Sequence, residues 1–207
     1  TLEQHKYIEL NPETKRYQLG LYLAELAIRA ENFLDVRTIA KPYMEQLAVK
    51  YAASIHLGIE SENEVLYVEV SKYNFVLPIV CQINSRLPFY CTGVGKAILA
   101  FWPEDRIEKY ITSQKLIAKT PYTITSGQKL KQELLQIRSN GYAIENEENQ
   151  LGVISISAPI FSLNGTVAAG ISIGLIKAIL TDELKQQIIA DILDCSQKIS
   201  KEMGYKL

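Results

Sequence analysis

The chain is short of the residues on which most metal, disulfide and acid–base chemistry is built. Its 207 residues include only two histidines and three cysteines. Cys81, Cys91 and Cys195 are odd in number and far apart, which excludes a self-contained disulfide framework and any zinc-type spacing; reduced thiols are expected. His5 and His56 have no adjacent Cys or carboxylate cluster, so no metal and no cofactor is expected. There is no surplus of basic charge either: 22 Lys and Arg face 23 Asp and Glu, with a net charge of −1. That balance lacks the clustered cations of a nucleic-acid-binding surface. No apolar run approaches the ~18 residues of a membrane span, and the polar residues 1–11 contain no signal-peptide core. A cytoplasmic location without membrane contact is therefore expected. What remains, 47% hydrophobic and 22% charged residues, is the composition of one globular domain.

Two motifs invite an enzymatic reading and fail on context. Gly170-Ile171-Ser172-Ile173-Gly174 matches GxSxG, but a nucleophile elbow sits at a sharp strand-to-helix turn and is followed by an acid and then a His. Here Ser172 lies inside an alternating apolar run, and both histidines precede it. Gly93-Val94-Gly95-Lys96-Ala97 has the flavour of a phosphate-binding P-loop, yet Tyr90 and Ala97 occupy positions where that motif needs Gly and Ser or Thr. The residues give no reason to expect catalysis. Glu145, Glu147 and Glu148 read as solvated acids at a sheet edge, and His56 as a half-buried strand residue.

Hydrophobic periodicity divides the chain into helices, strands, helices, strands and a final helix. Helices are expected over 17–30 and 35–51, the second opened by Asp35 and kinked or bounded by Pro42. Strands follow over 54–59, 65–70 and 76–83, the first two joined by an acidic turn. Further helices are expected over 93–101, from Pro103, and over 126–140, the last ended by Asn140-Gly141. Strands over 142–145, 153–161 and 166–173 come next, the last two forming a hairpin through Asn164-Gly165. Thr181 should cap a closing helix over 182–203, with Gly204 beyond its end. This order favours an α+β fold with an antiparallel sheet and helices on its faces, rather than regular βαβ winding.

Two segments carry the binding chemistry. In Arg86-Leu87-Pro88-Phe89-Tyr90-Cys91-Thr92-Gly93-Val94-Gly95-Lys96-Ala97 a loop runs into a helix start, where free N–H groups and small residues suit a carboxylate or phosphate. In Gly141-Tyr142-Ala143-Ile144-Glu145-Asn146-Glu147-Glu148-Asn149-Gln150-Leu151-Gly152-Val153-Ile154-Ser155-Ile156-Ser157-Ala158-Pro159-Ile160-Phe161 an acidic turn leads into an alternating strand. In order and spacing the two segments resemble the ligand-binding domain of the isocitrate lyase regulator (IclR) family of bacterial transcription factors. Phe89-Tyr90 stands where that family commonly has Leu-His, and Ser155 where some members have Cys.

The resemblance implies a GAF-like (profilin-like) domain with a central antiparallel sheet of about six strands. It implies that residues 1–16 link a DNA-binding winged helix-turn-helix, absent from this sequence, to an effector domain over 17–207. By motif match, Gly93 and Val94 would offer backbone N–H groups, Glu145 a carboxylate, and Ser155 and Ser172 hydroxyls. Gly174 would hold a further contact position, and Val76, Ile79, Leu87 and Val153 an apolar wall. The implied ligand is a small organic acid bearing hydroxyl or keto groups. Operator DNA would be bound only through the missing domain, by a homodimer or homotetramer. Two rival readings remain at this point: a GAF-type sensor attached to a non-DNA output, and a stand-alone binding protein.

Overall fold

The computed structural model describes residues 2–72 and 81–206, without the side chains of Ala24 and residues 27–35. A six-stranded antiparallel sheet forms its centre. It is built from β3 (Ser54–Ser61), β4 (Glu64–Lys72), β5 (Arg86–Pro88), β6 (Ala143–Asn146), β7 (Val153–Phe161) and β8 (Val167–Ile176), in the spatial order β5-β4-β3-β8-β7-β6. A separate hairpin pairs β1 (Ile8–Leu10) with β2 (Tyr17–Leu19). The helices are α1 (Leu21–Tyr51), α2 (Gly93–Leu99), α3 (Glu104–Ser113), α4 (Gly127–Asn140) and α5 (Asp182–Glu202). The expected α+β class and the count of six sheet strands agree with this architecture.

Alternation along the strands separates two cores. Ile55 and Leu57 of β3, Ile154, Ile156 and Ala158 of β7, and Ile171 and Ile173 of β8 face α1 and α5. The intervening residues face α2, which lies between the sheet and a second core around Phe89, Trp102, Tyr110 and Leu134. Because period-2 side chains point to opposite faces, the polar residues of β7 and β8 all emerge on the α2 side.

Local chemistry explains most element ends. Thr92, Ser126 and Thr181 cap α2, α4 and α5 by accepting from the N–H groups of Gly95, Lys129 and Leu184. Gly141 ends α4 at φ 79° and Gly204 follows α5 at φ 86°, both in the left-handed region that glycine enters without steric cost. In the β7–β8 hairpin Gly165 supplies the positive φ, and its N–H donates to Ser162 O at 2.9 Å.

Three expectations are corrected. The two helices expected over 17–30 and 35–51 are one helix of 31 residues, preceded by β2, so Asp35 lies mid-helix rather than at a helix start. Pro42 is inside it without ending it: its turn lies between Ala40 and Met44, both fully buried, and their packing outweighs the single backbone bond that proline removes. Second, the segment before α2 is not all loop, because residues 86–88 pair with residues 64–66 as an edge strand. Third, residues 81–83 are not strand; the rest of the expected strand 76–83 lies outside the described residues, as do Val76 and Ile79.

Candidate functional site

The α2 end of the sheet encloses a cavity of about 40 Å³, room for roughly three water-sized groups. Its floor draws residues from two cross-strand rows. In one, Glu145 of β6, Ser155 of β7, Gly174 of β8 and Ser54 of β3 stand opposite one another; in the next, Ser157, Ser172 and His56 do the same. Polar groups from distant parts of the sequence thus meet because antiparallel register places them side by side.

Gly93 forms the roof. A Cβ there would lie 2.3 Å from Ser157 Oγ and 2.5 Å from Ser155 Oγ, so only glycine lets the start of α2 approach the serine row this closely. The first α-helical bond of α2, from Lys96 N–H to Thr92 O at 2.9 Å, comes after Gly93 and Val94. Their amides are therefore the ones without an intrahelical acceptor.

Glu145 is fixed from three directions. Its Oε1 accepts from the amides of Glu148 (2.7 Å) and Asn149 (3.0 Å), and its Oε2 accepts from Ser155 Oγ at 3.2 Å. Burial nevertheless dominates, outweighing those amides and the positive charge of Lys96, and raises its pKa to about 7. The expectation that Glu145 and Glu148 are solvated is thus wrong: they are 4% and 5% exposed. The loop over 147–152 folds inward because Thr120 and Thr123 donate to the carbonyls of Glu147 and Glu148 at 2.6 Å each.

His56 is also more buried than expected, at 3% exposure. Desolvation, with a smaller contribution from the charge of Lys72, lowers its pKa to about 4, so the imidazole is neutral at pH 7. Its Nε2 has no hydrogen-bond partner among the described residues. The ring stands edge-on to Tyr67 at 6.0 Å.

Of the residues singled out from the sequence, Gly93, Glu145, Ser155, Ser172 and Gly174 line the cavity, with Leu87 and Val153 at its apolar side. Val94 does not: its side chain packs where Cβ atoms on Gly58 and Gly170 would sit, 2.9 and 3.0 Å away. The sequence reading missed His56, Tyr67, Cys81, Thr92, Asn149 and Gln150, which also line it. For His56 the available signal was its place on the polar alternate of a strand; the register that sets it beside Ser172 had none. Phe89 and Tyr90, at the departure from the Leu-His pattern, belong to the core. Phe89 stacks edgewise on Trp102 at 5.0 Å, and the Tyr90 hydroxyl donates to Ile117 O at 2.8 Å.

Comparison with known proteins agrees with the fold and with the motif order. Residues 29–201 match the family model described as the bacterial transcriptional regulator IclR C-terminal domain. The chain belongs to the IclR family. It is 32% identical over 205 residues to the HTH-type transcriptional regulator KdgR of Escherichia coli, covering 99% of this chain and 78% of that protein. With the HTH-type transcriptional regulator KipR of Bacillus subtilis it shares 34% over 189 residues, 91% of this chain and 76% of that one. Among solved structures, the Thermotoga maritima IclR superposes with a TM-score of 0.80 at 31% identity, covering 99% of this chain and 82% of that chain. The C-terminal domain of E. coli KdgR does so at 0.75 and 31%, covering 83% and 99%. These relatives are transcriptional regulators, not enzymes, and Ser172 sits mid-strand in β8, paired on both sides, rather than at an elbow. No helix among the described residues is long and apolar enough to cross a membrane, and none of their His, Cys, Asp and Glu clusters could hold a metal ion.

Proposed function

We propose that this domain senses a small organic acid in the cavity beneath α2, and that occupancy changes how an N-terminal winged helix-turn-helix engages operator DNA. The observation that carries the reading is the convergence of Glu145, Ser155 and Ser172, from three strands, on the Gly93 end of α2. Amides at that end suit a carboxylate. With its pKa near 7, Glu145 is substantially protonated at neutral pH, which softens its repulsion of an anion and lets it donate to a hydroxyl or keto oxygen.

In this reading residues 1–16 belong to the connection with the DNA reader, and residues 17–207 to the effector domain. The β1–β2 hairpin and α1 carry the signal between them. Effector can shift the spacing of two DNA readers only by its differential affinity for the two arrangements. Assembly as a homodimer or homotetramer provides the two-fold symmetry that a palindromic operator requires.

A thermal-shift screen against small carboxylates tests this. An effector at a hundred times its Kd adds about 2.7 kcal/mol of stability, and Ser172→Ala or Glu145→Gln should abolish the shift. Silence across the panel, or binding of neutral and cationic compounds alone, would overturn the proposal.

A further inference from the structure

One of the residues lining the cavity carries a polar atom that no described residue satisfies. His56 lines the cavity, and its Nε2 is buried with no partner among the described residues. An imidazole nitrogen withdrawn from water without a hydrogen bond is costly, and sites that bind polar ligands are where such a cost recurs. The groups packed about it do not remove the cost. The Tyr67 ring stands nearly perpendicular to the imidazole, Val70 stands opposite on β4, Ser172 stands opposite on β8, and the nearby charge is that of Lys72.

Resting on the effector reading above, we infer that His56 Nε2 is a specificity contact, taking a hydroxyl or carbonyl oxygen borne by the effector at the end away from its carboxylate. The sheet sets the length of such a ligand. Glu145 on β6 and His56 on β3 are three strands apart and stand in adjacent cross-strand rows. In a cavity of about 40 Å³ that ligand is a short oxygenated acid. A neutral imidazole suits either oxygen, since Nε2 donates to a carbonyl in one tautomer and accepts from a hydroxyl in the other. An unsubstituted acid leaves Nε2 buried and unpaired, and so is discriminated against.

Calorimetric titration of the chain with butyrate, 3- and 4-hydroxybutyrate and 3- and 4-oxobutyrate tests this. At least one oxygenated acid should bind about tenfold or more tighter than butyrate, the worth of one hydrogen bond kept from going unpaired. His56→Phe should erase that preference by weakening the oxygenated acid alone, with an unliganded Tm no lower than wild type. His56→Gln, which keeps a polar end, should retain part of the preference and carries the test if the Phe variant does not fold. Equal binding of butyrate and every oxygenated acid, or a preference that survives in both variants, overturns the His56 contact and leaves the organic-acid reading standing. Silence toward all five compounds overturns the His56 contact and leaves the organic-acid reading to the wider carboxylate screen.

Discussion

The ammonium of Lys96 and the carboxylate of Glu148 form an ion pair with both side chains withdrawn from solvent, at 0% and 7% exposure. The same ammonium reaches Glu133 on α4 and donates to Ile144 O at 3.0 Å. Burial works against its charge, but the two carboxylates prevail and raise its pKa. Lys96 therefore joins α2, α4 and the 147–152 loop. Through the Glu148 amide on Glu145 Oε1, it also braces the wall of the cavity.

Removing one partner of this pair leaves an uncompensated buried charge. Lys96→Met should cost about 3–5 kcal/mol in urea denaturation. Lys96→Met combined with Glu148→Met should be substantially more stable than the single variant, because the stranded carboxylate is gone. A single variant within 1 kcal/mol of wild type, on the order of a surface pair, would contradict the buried bridge.

Gly93→Ala should destabilise by about 1–3 kcal/mol through overpacking, since its Cβ falls 2.3 Å from Ser157 Oγ. Adding Ser157→Ala should restore part of the loss and not all, because Ser155 Oγ remains 2.5 Å away. Full stability of Gly93→Ala, read by thermal denaturation, would mean that α2 does not lie this close to the sheet.

Local signals were legible and long-range pairings were not. The cap at Thr181, glycine ends at Gly141 and Gly204, and the Gly165 turn depend on residues a few positions apart, and each was readable. β7 matched its expected bounds because alternation runs from Val153 to Ser157 and an apolar run continues it to Phe161. The β1–β2 hairpin was missed because β2 is exposed throughout and β1 nearly so, leaving no apolar period to read. Lys96 gave no sign of burial, since its carboxylates lie 37 and 52 residues away. In the cavity, residues on the two motifs could be named, whereas His56 and Tyr67 arrive through a register that the β3–β4 bulge at Leu57/Gly58 helps set.

As pH changes, two cavity groups act on stability in opposite directions. Glu145 has a folded pKa of about 7, above its ordinary 4.5. The native state thus binds more protons than the unfolded chain between those values, and stability falls as pH rises through that window. His56 has a folded pKa of about 4, below its ordinary 6.5, so the unfolded chain binds more protons and stability rises with pH from 4 to 6.5. Each shift is worth about 3 kcal/mol when fully expressed, and between pH 4.5 and 6.5 the two slopes largely cancel. Single variants expose them. Relative to wild type, Glu145→Gln should gain stability as pH rises from 4.5 to 7, whereas His56→Phe should gain it as pH falls from 6.5 to 4. Urea denaturation of the three proteins at pH 4.5, 5.5, 6.5 and 7.5 reads both differences. Parallel curves would mean that these side chains are hydrated rather than enclosed by the cavity.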